Sequence, residues 1–163
     1  LINELAHWLR ENCVPDSSPT LLHNDFKLDN VLLDPTNLTP LAVLDWDQGT
    51  RGDGLFDLAV LLSYWTEPGD PAAMHQMAQM PTASAGFPTR QQAAERYALA
   101  LGRDLSTFRF HRVLGQMRTA VIFHELHVRW RRGETRDSRY ERFGEIGEGL
   151  LQFARSIARG EVF

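Results

Sequence analysis

His23-Asn24-Asp25-Phe26-Lys27-Leu28-Asp29-Asn30 sets a carboxylate and an amide five residues apart behind a His, and Asp45-Trp46-Asp47 follows, Asp45 lying fifteen residues after Asn30. These residue types suit phosphoryl transfer, which asks the protein for an oriented nucleophile and for charge to offset the phosphates. A substrate hydroxyl must lose its proton, so a carboxylate has to face it, and Asp25 is the candidate base. Magnesium takes hard oxygen ligands, and Asn30 and Asp45 offer an amide oxygen and a carboxylate. Lys27 offers an ammonium to the group in transit. Asp47 is open to two roles, a second metal contact or a cap on its loop. His23 sits beside an apolar run and reads as a packed, hydrogen-bonded support of the loop, not as a base.

Alone, Asp-x-x-x-x-Asn is also a common turn pattern, because both side chains bend and cap backbone. The flanking runs argue for a site. Thr20-Leu21-Leu22 leads into the motif, Val31-Leu32-Leu33 leaves it and closes at Asp34-Pro35, and Leu41-Ala42-Val43-Leu44 ends at Asp45. Three short strands alternating with polar loops predict a small β-ribbon with the chemistry on its ends.

The rest reads as helix. Ile2, Leu5, Ala6 and Leu9 predict a helix over 2–12, broken at Val14-Pro15-Asp16-Ser17-Ser18-Pro19. Leu55, Leu58, Ala59 and Leu62 share a face after Gly52-Asp53-Gly54. A short helix and loop fill 72–88, and a helix over 89–101 starts at Thr89 and stops at Gly102. A long helix over 105–132 points Phe110, Val113, Leu114, Met117, Val121 and Leu126 inward. The last helix carries Phe143, Ile146, Leu150, Phe153 and Ile157 at 3-4 spacing. Gly144, Gly147 and Gly149 weaken it by up to about 1 kcal/mol each, which implies close approach to another helix.

The chain has 163 residues, 43% hydrophobic and 23% charged, ordinary values for one globular domain. Its net charge of -4 disfavours nucleic acid as a partner. No apolar run is long enough to span a bilayer, no signal peptide is present, and the single cysteine fits a reducing, cytoplasmic setting. The chain opens on Leu1, so its start is expected upstream.

The segment 21–65 resembles the aminoglycoside phosphotransferase and choline kinase group, whose fold is similar to protein kinases. The likeness is strongest to the branch also found fused to some acyl-CoA dehydrogenases. It rests on three ordered blocks: His23 to Leu32, Ala42-Val43-Leu44-Asp45-Trp46-Asp47, and Gly52-Asp53-Gly54-Leu55-Phe56-Asp57-Leu58-Ala59. The resemblance implies an α+β, mainly helical fold: the C-terminal catalytic lobe of a kinase-like protein, as one domain over 1–163. It implies ATP and Mg2+ as cofactors, Asp25 as base, and Asn30 and Asp45 as metal ligands. Asp57, with His23, would support the loop at the cofactor end. Asn24 stands where Gly is usual, and Gly54 where Pro is usual, which should loosen that turn. The family's nucleotide-clamping lobe is not among these residues. An exposed apolar surface and self-association are therefore expected.

The resulting expectation is an ATP-dependent kinase acting on a small-molecule hydroxyl. Glu67, Asp70, Glu125 and Glu134 either greet a cationic substrate or form a solvated surface. A non-catalytic binding domain is the alternative. A metal-dependent phosphohydrolase is weaker, because His7, His75, His111, His124 and His127 do not form a ligand set.

Overall fold

The computed structural model describes residues 1–15 and 19–163. Asp16, Ser17 and Ser18, within the expected break, lie outside the described residues. The order is α1 (Ile2–Glu11), β1 (Pro19–Leu22), β2 (Val31–Leu33), β3 (Pro40–Val43), β4 (Thr50–Asp53), α2 (Gly54–Ser63), α3 (Ala72–Met77), α4 (Arg90–Leu101), α5 (Phe108–Arg131) and α6 (Phe143–Arg159). Single 3-10 turns cover Leu28–Asn30 and Ser138–Arg142. Among the described residues, no helix is long and apolar enough to cross a membrane.

The strands form two antiparallel pairs, not one three-stranded ribbon. β2 pairs with β3, Val31 opposite Val43, and β1 pairs with β4, Leu22 opposite Thr50. Thr50-Arg51-Gly52-Asp53 has no apolar alternation, so nothing in its pattern marks a strand. β1 makes it one by supplying the partner edge. Gly52 keeps the approach open, since a Cβ there would stand 3.0 Å from Leu22 Cδ1.

Below the strands lies the helical core. Leu5, Val60, Met74, Val113, Leu150 and Ile157 are its buried centre. α6 faces inward as its 3-4 stripe predicts, with Ile146, Leu150, Phe153 and Ile157 all buried. Its glycines are close-approach positions: a Cβ would meet His127 at 2.9 Å from Gly144, His124 at 2.9 Å from Gly147 and the Ala73 Cβ at 2.5 Å from Gly149. α4 starts on a capping box at Thr89 and Gln92 and stops at Gly102 in the left-handed region.

α5 departs from expectation. Val121 is 39% exposed, whereas Arg112, Gln116 and Thr119 are buried beside Val113, Ala120 and Phe123. Gly115 explains the rotation. A Cβ on it would lie 3.0 Å from the Ala59 backbone, so the helices α2 and α5 touch there and the flanking polar residues turn inward. Thr119 donates to Gly115 O at 3.1 Å and so satisfies its own hydroxyl.

The turn into α2 is not loose. Asp53 caps the helix by accepting from the Leu55 N–H at 2.9 Å, and Arg103 pairs with Asp53 at 2.6 Å. Tyr97 donates to Gly54 O at 3.3 Å, and a Cβ on Gly54 would stand 2.9 Å from that hydroxyl. Several contacts do here what a Pro ring would do through φ.

Candidate active site

The loop 23–30 is fixed from below by one carboxylate. Asp57, in the first turn of α2, accepts the His23 N–H on Oδ2 at 2.7 Å and the Asn24 N–H on Oδ1 at 2.6 Å. These charge-assisted bonds bend the backbone so that Asn24 takes φ +62. Glycine prefers that region, and Asn tolerates it better than most residues, so Asn24 serves where Gly is usual. Its side-chain amide donates to Gln48 O at 2.8 Å and ties the loop to the segment after Asp47.

His23 is buried at 2% exposure, so its ring acts on the loop and not on a ligand. Nε2 lies 2.7 Å from Leu44 O, an acceptor, and Nδ1 accepts from the Asp25 N–H at 3.2 Å. The two partners select the tautomer with the proton on Nε2. The ring also packs on Trp46 at 4.7 Å. His23 thus bridges the motif to the strand that ends before Asp45.

The Asp25 carboxylate is surrounded by donors. Lys27 Nζ lies 3.0 Å from Oδ2, and Asn30 Nδ2 donates to Asp25 O at 2.8 Å and to Oδ2 at 3.3 Å. The Tyr64 hydroxyl donates to Oδ1 at 3.0 Å. Lys27 also stands 5.1 Å from the centre of the Tyr64 ring. Asn30 turns its nitrogen toward two acceptors, which leaves the amide oxygen as the group for a cation. The Leu44 N–H donates to Asn30 O at 2.8 Å, so the β2–β3 pairing sets Asn30 beside the segment entering Asp45. Asp45 is exposed and holds φ +64, and Asp47 is exposed on the same loop. Among the described residues, no three His, Cys, Asp or Glu side chains gather as a metal site. Two oxygen ligands still suit magnesium, which takes one or two protein carboxylates or amides and leaves the rest to water and phosphate.

Tyr64 was not singled out from the sequence. The available signal was a phenol at the end of an apolar helix, where a buried hydroxyl needs a partner. Arg118 of α5 hydrogen-bonds Gln48 and stands near the same phenol. Burial first, then the Asp25 charge and hydrogen bond, push Tyr64 up to about 12, with Arg118 pulling the other way. Glu67 and Asp70 are not free to greet a substrate. Both hold the buried Arg90, at 3.1 Å and 2.6 Å. Arg129 and Arg132 stand 3.8 Å and 3.9 Å from Glu134 with all three side chains largely in solvent, where such pairs contribute little.

The model of the phosphotransferase enzyme family matches residues 1–96, more than half of the chain, and the chain belongs to that family. A candidate aminoglycoside phosphotransferase of known structure from Ralstonia eutropha shares the fold, with a TM-score of 0.79 and 22% identity over 98% of this chain and 49% of its own. Acyl-CoA dehydrogenase family member 10 of Mus musculus is 26% identical over 163 residues, 99% of this chain and 15% of that protein. Family member 11 of Mus musculus is 30% identical over 135 residues, 81% of this chain and 17% of that protein. The chain therefore spans about a sixth of the length of these two relatives, and the branch seen in its motifs is the branch these comparisons return.

Proposed function

We propose that the protein carrying this chain is an ATP-dependent phosphotransferase that moves the γ-phosphoryl group to the hydroxyl of a small molecule. The observation that carries this reading is Asp25: a carboxylate at 9% exposure, held by Lys27, Asn30 and Tyr64 at the end of a loop anchored on Asp57. In that role Asp25 takes the proton of the acceptor hydroxyl. The freed oxygen bonds the γ-phosphorus as the bond to the β,γ-bridging oxygen breaks, and ADP leaves. Asn30 and Asp45 are the residues that would hold magnesium, which when bound offsets charge on the phosphates. Lys27 sits on Asp25 here and is within side-chain reach of a group bound above it. We further infer that the nucleotide clamp comes from a lobe outside these 163 residues. Fold and family carry the reaction type and leave the acceptor open.

Calorimetry with ATP and magnesium tests this on the intact protein. Binding that is lost in Asp45→Ala and kept in Asp25→Asn supports the assignment. Binding that survives Asp45→Ala in full removes Asp45 from the metal site.

A further inference from the structure

Asp25 has two oxygens in unequal surroundings. Oδ2 faces two donors, Lys27 and Asn30, and Oδ1 faces one, Tyr64. A carboxylate has about four acceptor positions, two on each oxygen. The free position is therefore on Oδ1, next to the Tyr64 hydroxyl. A substrate hydroxyl that reaches Asp25 must donate there.

We propose that Oδ1 is the atom of Asp25 that takes the acceptor proton, and that Tyr64 is the positioning residue that aims it. The inference rests on the reading of Asp25 as base. Tyr64 comes from the C-cap of α2, at 5% exposure, with its ring packed in the helical core. Its hydroxyl is thus placed by the same helix whose first turn, through Asp57, anchors the loop. One rigid element sets both the backbone of residues 23 and 24 and the rotation of the Asp25 carboxylate.

The direction of the bond is settled by its neighbours. An ionised carboxylate can only accept, so the phenol O–H points to Asp25. The phenol keeps its proton through the whole neutral range. Tyr64 is then a fixed donor: it holds the carboxylate in one rotamer and never competes for the proton. Gln48, bonded to Arg118, follows Asp47 by one residue.

The test uses the intact protein that contains this chain, magnesium-ATP as substrate and water as the acceptor, with release of inorganic phosphate as the signal. Asp25→Asn should slow release by roughly 100-fold. Tyr64→Phe keeps the ring and should lower kcat about tenfold, with KM for ATP unchanged. Its thermal midpoint, read on the same sample, should stay near that of the parent. Replacing Tyr64 by 3-fluorotyrosine keeps shape and donor and should restore most of the rate, which a damaged core would not do. Phosphate release at the parent rate in Tyr64→Phe, beside a dead Asp25→Asn, overturns the inference and leaves the base intact. A fall in kcat matched by a rise in KM for ATP overturns it too, because it marks a general distortion. Asp25→Asn at the parent rate removes the reading of Asp25 and this inference with it.

Discussion

Asp57 acts on backbone, and that makes its removal costly. Each N–H it accepts is partly buried, and a hydrogen bond to a charged group contributes about 1.5–3 kcal/mol. Asp57→Ala should therefore lower the urea unfolding free energy by about 3 kcal/mol, while Asp57→Asn, which keeps one acceptor oxygen, should lose roughly half as much. Equal losses in the two variants would mean that the carboxylate acts by volume, not by accepting. Tyr64 gives a second residue-scale prediction, in alkali. Its folded-state value is about 12 against 10.0 for a free phenol, so as pH rises the unfolded chain sheds this proton first. Stability from Tyr64 is complete below about pH 10 and is lost between about pH 10 and 12. Tyr64→Phe should lack that part of the fall, seen as a flatter plot of unfolding free energy against pH. Parallel plots for the two proteins would show that the phenol is not held as described.

At the scale of elements, propensity and packing give opposite answers at Gly149. Helix propensity alone predicts that Gly149→Ala stabilises α6 by about 1 kcal/mol. A Cβ there would lie 2.5 Å from the Ala73 Cβ, inside contact distance, and neither neighbour has a flexible tip to move. Helices α3 and α6 must then separate, which overpacked cores pay at about 1–3 kcal/mol. The net expectation is a lower thermal midpoint for Gly149→Ala and a lower one still for Gly149→Ser, which adds the same Cβ and an Oγ; a raised midpoint for Gly149→Ala would mean the contact is not tight. This contact was readable from the sequence as glycines that cost helix stability without turning the chain. The α6 stripe, the α4 caps and the α2 face were readable in the same way, because regular apolar spacing and cap residues are local signals. The buried polar side of α5 was not. It follows from where Gly115 meets Ala59, a long-range contact that no window along the chain contains. β4 was missed for the same reason, since only β1 makes Thr50-Arg51-Gly52-Asp53 extended. At the site, Asp25, Asn30, Asp45 and Asp57 stand in recognisable order, whereas Tyr64, Arg118 and Gln48 reach it from three separate segments and have no shared spacing to betray them.

At the scale of the whole molecule, the strand region is rich in exposed apolar side chains. Leu21, Leu32, Leu33, Leu38, Leu41 and Trp46, all from the strand region, are exposed, Leu21 at 63% and Leu41 at 60%. Scattered surface leucines need no explanation, but these fall within one stretch of 26 residues that holds the whole β2–β3 pair and the end of β1. Paired strands with exposed apolar side chains bury them readily against another surface. The chain covers 49% of the Ralstonia eutropha protein of known structure, so as much of that protein again lies outside the match. The 163 residues by themselves should then associate through this region. Sedimentation velocity should show a weight-average coefficient that rises with concentration. Leu21→Lys with Leu41→Lys should hold the chain at monomer mass, and because both side chains are mostly in solvent the thermal midpoint should barely move. A parent chain that stays monomeric at the highest concentrations reached would show that the apolar region is tolerated in water, and the argument for a covering lobe would lose its main physical support.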